Sequence, residues 1–267
     1  MICSCSWLTA VSIVVHSSCT SETADCAVRH ASSRANYEIL IRMKSNDGEI
    51  IEPASFLTAA ERYNKMINID RWVVEESLAI LAANPRFLKQ TGYCSINLSS
   101  QSLTDADFLD FVIDQFSAYE GLASKICFEI TETAAIINML QASRYIAILR
   151  GMGLRFALDD FGSGLSSFEY LKTLPIDYLK IDGMFVKDIV TDPIDRAMVK
   201  SIHEIGSVMN KKTVAEFVEN TDILDELRII GVNYVQGYAV GMPIPLEELI
   251  TAQLKKESPR VISFPTS

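Results

Sequence analysis

The segment Leu158-Asp159-Asp160-Phe161-Gly162-Ser163-Gly164 ends an apolar run in two adjacent carboxylates followed by a glycine-rich loop. Hard divalent cations take oxygen ligands, and one carboxylate of such a pair can bridge two ions. The same pair could instead cap the helix read over Ser166 to Leu174, so the rest of the chain must decide. It supplies Glu38 and Arg42, Asn97, Glu129 and Glu132, Lys180 and Asp182, Glu216 and Glu219, and Gln236, each on or just after a short apolar segment. Any one of them could be a partnered charge at a structural rim. A series of carboxylates converging on one cavity would repel unless cations neutralise them. Oxygen donors of this kind select Mg²⁺ or Mn²⁺ over zinc. The histidines, His16, His30 and His203, fall outside every strand end, which argues against histidine-based metal or nucleophile chemistry. With no Ser-His pairing in sight, metal-activated water is the natural nucleophile. Lys180 can stabilise charge on a phosphoryl oxygen, and Asp182, Glu216 or both can take the proton.

The elements that must position these groups follow one rhythm. Strands are expected at Tyr37–Met43, Tyr93–Leu98, Lys125–Glu132, Gly153–Leu158, Asp177–Asp182, Thr213–Glu219 and Asn233–Gly237. Helices are expected between and after them, near Pro53–Tyr63, Asp70–Ala83, Asp105–Tyr119, Ala134–Met152, Pro193–Met209, Asp222–Ile230 and Pro245–Lys256. Seven strands alternating with helices imply a parallel α/β fold, and an eighth at Val11–Val15 would complete a TIM-type (β/α)8 barrel. In such barrels the site lies at the carboxyl ends of the strands, where the polar residues fall here. Residues 1–36 read as a divergent N-terminal segment, either supplying that strand or disordered; 37–257 form the barrel and 258–267 a tail.

The chain has 267 residues, 49% of them hydrophobic, which suits one large barrel. Its 24 basic residues stand against 34 acidic ones, a formal charge of −10, which excludes sequence-independent binding of a nucleic-acid polymer. No run approaches the ~20 apolar residues that span a bilayer, so no membrane segment is expected within this chain. Trp7–Val15 lacks the basic flank and cleavage site of a signal peptide. Cys3, Cys5, Cys19 and Cys26 crowd the start with spacings that match no standard zinc or disulfide pattern. Cys94 and Cys127 sit in strands and read as buried thiols of a reducing cytoplasm.

Taken together, these motifs resemble those of the EAL-domain cyclic di-GMP phosphodiesterase family. Glu38-Ile39-Leu40-Ile41-Arg42 is similar to the E-A-L-x-R signature, and beside it stand Asn97 in INLS, Glu129 and Glu132 in FEITE, the LDDFGSG of 158–164, KID at 180–182, AEFVE at 215–219 and QGY at 236–238. The likeness runs in order from residue 37 to about 247. It implies a barrel with an antiparallel first strand and two divalent ions, one held by Glu38, Asn97, Glu129 and Asp159, the other by Asp159, Asp160 and Glu216. It further implies that Lys180 positions water or pairs with phosphate and that Glu216 is the base. Leu40, Arg42 and Gln236 would meet the substrate; Glu132 and Glu219 would anchor loops, Glu132 that of Phe161–Ser167.

The implied function is two-metal hydrolysis of cyclic di-GMP to linear 5'-pGpG, lowering a bacterial second messenger tied to biofilm formation, by a homodimer. An alternative is a non-catalytic cyclic di-GMP receptor on the same barrel, and a further one is a Mg²⁺ barrel enzyme that abstracts a proton beside a carboxylate with Lys180 as base. No regulatory or second signalling domain is legible, so the chain is expected to be a stand-alone enzyme or a piece of a larger sensor protein. Two departures stand out: Ile39 and Phe217 replace the usual Ala and Gly with little expected effect on chemistry, and residues 1–36 lack the Q-P-I motif of the family's first strand.

Overall fold

The computed structural model describes residues 11–20, 35–45, 47, 49–164 and 169–256. Its organising element is a closed sheet. Strands β1 (Val11–Thr20), β2 (Ala35–Lys44), β4 (Thr91–Asn97), β5 (Ile126–Thr131), β6 (Arg155–Phe161), β7 (Tyr178–Ile181), β8 (Lys212–Ala215) and β9 (Tyr234–Gln236) pair in that order, and β9 returns to β1. From β2 to β9 every pairing is parallel. The exception is β1, which runs antiparallel to both neighbours, from Val11 opposite Met43 to Ser18 opposite Asn36 on one side and Ser18 opposite Gln236 on the other. The fold is thus a TIM-type barrel with an antiparallel first strand. Two short strands, β3 (Ile50–Ile51) and β10 (Ile244–Pro245), extend β2 and β1 at the rim.

Side chains along each strand alternate between the helical shell and the barrel interior, as the pleat requires. On β2, Tyr37 stacks on Phe87 of α3 (Pro85–Gln90) at 5.6 Å, while Glu38 faces the other way. On β5, Phe128 and Ile130 are buried in the main hydrophobic core, while Cys127 joins a separate small cluster with Tyr93, Ala157, Tyr178 and Val214. That small cluster is the plug of the barrel. Tyr93 and Tyr178 lie 5.0 Å apart, Tyr178 and Tyr234 5.9 Å apart, and the Arg155 guanidinium sits over the Tyr93 ring. One pleat further along the same strands come Glu129, Asp159, Lys180 and Gln236, so the plug is the floor of a polar chamber.

The helices form the outer ring: α1 (Pro53–Arg62), α2 (Met66–Ala83), α5 (Ala106–Ala118), α7 (Met139–Gly151), α9 (Pro193–Val208), α10 (Thr221–Ile230) and α11 (Leu246–Lys256). Most of the expected helices are present, with three differences. The stretch expected as one helix over Ala134–Met152 is two, α6 (Glu132–Ile137) and α7, because Asn138 leaves the helical region at φ −132°, ψ 48°. Short helices α4 (Ser100–Leu103) and α8 (Gly183–Lys187), and α3, were not expected; Ser99 and Asp182 cap the first two with side-chain oxygens. Of Ser166–Leu174, residues 166–168 lie outside the described residues and the remainder holds a single 3₁₀ turn at Tyr170–Lys172. The strand expected over Thr213–Glu219 stops at Ala215, and Glu216 to Glu219 follow it as irregular backbone.

Candidate functional site

Lys180 is the centre of the polar chamber. Its side chain is 2% exposed, and its Nζ lies 2.5 Å from Glu129, 2.7 Å from Glu216, 3.0 Å from Asp159 and 3.7 Å from Glu38. Four carboxylates, three from strands β2, β5 and β6 and one from the segment that follows β8, therefore meet one ammonium. Burial by itself would favour neutral lysine, but the surrounding carboxylates win and hold its pKa well above the ordinary value. Burial acts on the acids in the opposite sense. Desolvation, only partly offset by Lys180, pushes Glu129 up to about 8, and it raises Glu216 well above the usual carboxylate range. One lysine does not neutralise the cluster.

Around this centre the expected residues take distinct places. Asn97, at the end of β4, donates from Nδ2 to Glu38 Oε1 at 2.8 Å, and Gln236 donates to the other oxygen of Glu38 at 2.5 Å. Asp159, Asp160 and Glu216 each offer an oxygen within 4.8 Å of the others. Among the described residues, neither aspartate of the pair caps a helix. Asp160 adopts φ 54°, a left-handed conformation uncommon for a non-glycine residue, and its pKa is raised by desolvation and by the charges of Asp159 and Asp182. Asp159 Oδ1 is buried and makes no directed hydrogen bond although Lys180 is close. An all-oxygen donor set with excess negative charge fits divalent cations: Glu38, Asn97, Glu129 and Asp159 could hold one, and Asp159, Asp160 and Glu216 a second.

Other expected residues stand outside this centre. Asp182 accepts the Met184 amide at 2.8 Å and so begins α8, while Glu219 is exposed at the rim. Glu132 reaches across the loop after β6: its Oε2 accepts the Gly162 amide at 3.0 Å and its Oε1 the Tyr170 hydroxyl at 2.6 Å. Two cavities open on the cluster. One of about 520 Å³ is bordered by Asn97, Glu129, Asp159 and Asp160; the other, of about 350 Å³, by Glu38, Glu216 and Gln236. Leu40 and Arg42 border both. Gln236 is held in place by a tight crossing: Val218 donates to its carbonyl, and a Cβ on Gly237 would come within 2.3 Å of the Val218 backbone.

Sequence reasoning passed over two supports. Asp70 of α2 is buried and accepts the Ser99 amide (3.0 Å), the Ser99 hydroxyl (2.6 Å) and the Ser102 hydroxyl (2.7 Å), pinning the turn that follows Asn97. The S-S-Q-S spacing after Asn97 was the available signal. Tyr170 is the second, visible only through its contact with Glu132. Of the histidines, His203 meets the Thr213 hydroxyl at 2.8 Å, His16 occupies the register position opposite Glu38, and His30 lies outside the described residues. Cys94 and Cys127 are buried free thiols; Cys3, Cys5 and Cys26 lie outside the described residues.

The model of the EAL domain family matches residues 28–243. The cyclic di-GMP phosphodiesterase PdeB of Shewanella oneidensis is 45% identical over 216 residues, which is 81% of this chain and 25% of that protein. The cyclic di-GMP phosphodiesterase PdeF of Escherichia coli is 38% identical over 79% of this chain and 28% of its own length. The chain thus spans between a quarter and a third of these relatives. Among solved structures, the MucR phosphodiesterase in complex with c-di-GMP superposes with a TM-score of 0.81 at 28% identity, covering 90% of this chain and 94% of that one. The FimX EAL domain of Pseudomonas aeruginosa bound to c-di-GMP gives 0.78 at 28% identity, covering 88% and 90%. The chain belongs to the EAL domain family.

Proposed function

We propose that this chain is a metal-dependent phosphodiesterase that hydrolyses cyclic di-GMP to linear 5'-pGpG. The observation that carries the reading is the cluster of four carboxylates on Lys180, flanked by two cavities that share Leu40 and Arg42. A cyclic dinucleotide has two bases on either side of its phosphodiesters, and this arrangement offers a compartment to each. The relatives named as cyclic di-GMP phosphodiesterases support the substrate.

Two Mg²⁺ or Mn²⁺ ions suit the donor set described above. When bound, they supply Lewis-acid charge at the phosphodiester and a low-pKa water. The chain's own residues do the rest. Arg42 supplies a cation between the two cavities for the non-reacting phosphate, with Leu40 as an apolar wall and Gln236 as a polar contact from the far strand. Lys180 keeps a positive charge at the carboxylates throughout and stabilises charge building on the phosphoryl oxygens. Glu216, one oxygen at Lys180, is the base, with the Asp182 charge nearby as the second acceptor. Glu132 holds the loop after β6, and Glu219, which the family resemblance makes a loop anchor, lies at the rim of the smaller cavity.

The working form is a homodimer in the cytoplasm. The buried reduced thiols Cys94 and Cys127 suit that compartment, and no helix among the described residues is long and apolar enough to cross a membrane. Incubation of the purified protein with cyclic di-GMP and Mn²⁺ tests the activity. Linear product is expected; its absence from a folded sample refutes the reading, and binding without turnover identifies a receptor instead.

A further inference from the structure

Phe217 is an anomaly that the carboxylate chemistry does not use. It directly follows Glu216 and takes φ 52°, a left-handed conformation that glycine adopts freely and a residue with a Cβ avoids. Core burial does not offset that strain, because the side chain is 51% exposed. Its neighbour Val218 is the one that enters the core. A strained, exposed aromatic beside a reaction centre calls for a functional explanation, since glycine would serve the backbone better.

The ring is nonetheless held in a defined place. It lies against Gly183 at the start of α8, where even a Cβ would come within 2.1 Å of the ring, and the Lys187 ammonium sits 4.5 Å from its centroid. Phe217 also borders the smaller cavity, together with Arg42, Gln236, Tyr238 and Pro243. That compartment therefore combines a cation, an amide and a fixed aromatic surface, the set that holds a phosphorylated nucleoside by charge, hydrogen bond and stacking.

We propose that Phe217 is a specificity-determining residue, its ring the stacking wall for one nucleobase of the substrate. The inference rests on the reading that the substrate is a cyclic dinucleotide. It assigns Phe217 to ground-state binding and leaves the reacting phosphate to the groups at Lys180.

The test compares wild type, Phe217→Gly and Phe217→Tyr, by calorimetric titration of cyclic di-GMP into metal-free protein and by steady-state hydrolysis with Mg²⁺. Loss of one stacked base should weaken binding and raise KM in Phe217→Gly by about 5- to 150-fold, with kcat unchanged. Phe217→Tyr should behave as wild type. The thermal midpoint of Phe217→Gly should stay level or rise, because glycine relaxes the left-handed backbone. Wild-type KM and affinity in Phe217→Gly overturn the inference, as does a loss confined to kcat or accompanied by a fall in the midpoint. A wild-type protein that neither binds nor hydrolyses cyclic di-GMP overturns the parent reading and this one with it.

Discussion

Replacing Lys180 by methionine keeps an unbranched apolar stem as far as the ε-carbon and deletes the ammonium that four carboxylates share. Removing one partner from a buried ion pair costs about 3–5 kcal/mol, and the 2% exposure of Lys180 places it in that regime. At about 2–4 °C per kcal/mol for a domain of this size, the midpoint of metal-free protein should fall by roughly 6–20 °C. The loss must depend on pH. Glu129 already has its folded pKa raised to about 8 by desolvation, so it favours the folded state below the ordinary carboxylate value and loses that contribution as pH rises through 8. Without Lys180 more protons are needed to keep the cluster compact, each adding a slope of about 1.4 kcal/mol per pH unit. Urea unfolding in EDTA at pH 5.5 and pH 8 measures this directly. The deficit of Lys180→Met should be larger at pH 8, and Mg²⁺ should shrink it. A deficit below about 1 kcal/mol at pH 8, or one equal at both pH values, would refute the picture of an overcharged buried cluster.

Glu216→Gln should abolish turnover, with kcat down by about 10²–10⁴ as for a lost general base, yet raise the unfolding midpoint of metal-free protein because one desolvated carboxylate is gone; thermal scans in EDTA check it. Glu132→Ala removes the acceptor shared by Gly162 and Tyr170 and should cost about 1.5–3 kcal/mol, with faster amide hydrogen exchange at Gly162 and a lower kcat. Asp70→Ala leaves Ser99 and Ser102 without their common acceptor; Mg²⁺ affinity, read by calorimetry, should fall by about 10- to 100-fold although Asp70 touches no proposed ligand.

What could be read from the chain alone follows the physics of each segment. The strands β4 to β7 are short and mostly apolar with Asn97, Glu129, Asp159, Asp160 and Lys180 in their carboxyl-terminal halves, so their type and their shared end were legible, and with them the carboxylates of the site. Segments whose form depends on partners were not. The run T-V-A-E-F-V-E is rich in the β-branched and apolar residues of a strand, yet pairing ends at Ala215 and Glu216 turns inward on irregular backbone. In β1, Val11–Val15 reads as a strand, but its continuation through His16–Thr20 is polar and exists because β2 lies on one side and β9 on the other. The helix break at Asn138 rests on one backbone departure with no side-chain cap, and the short helices α4 and α8 depend on single caps, too weak a signal against the stronger periodicities around them. Asp70 escaped notice because nothing in α2 marks one acid as buried; its role is set by serines about thirty residues away.

The barrel separates its two tasks along its axis. Below the site, Tyr93, Cys127, Tyr178 and Val214 fill the interior with contacts that need no ion and no unusual backbone. Above it lie the features that oppose folding: carboxylates pushed toward protonation, and left-handed backbone at Asp160 and Phe217. Such concentration at the carboxyl ends of the strands is what a stability–function trade-off produces, because groups arranged as the proposed cation and phosphodiester site requires are poorly matched to each other. Lys180 is the compromise between the two halves. It holds the acids together in the absence of ions, and it cannot satisfy all of them, which leaves the site with charge to spend on a ligand.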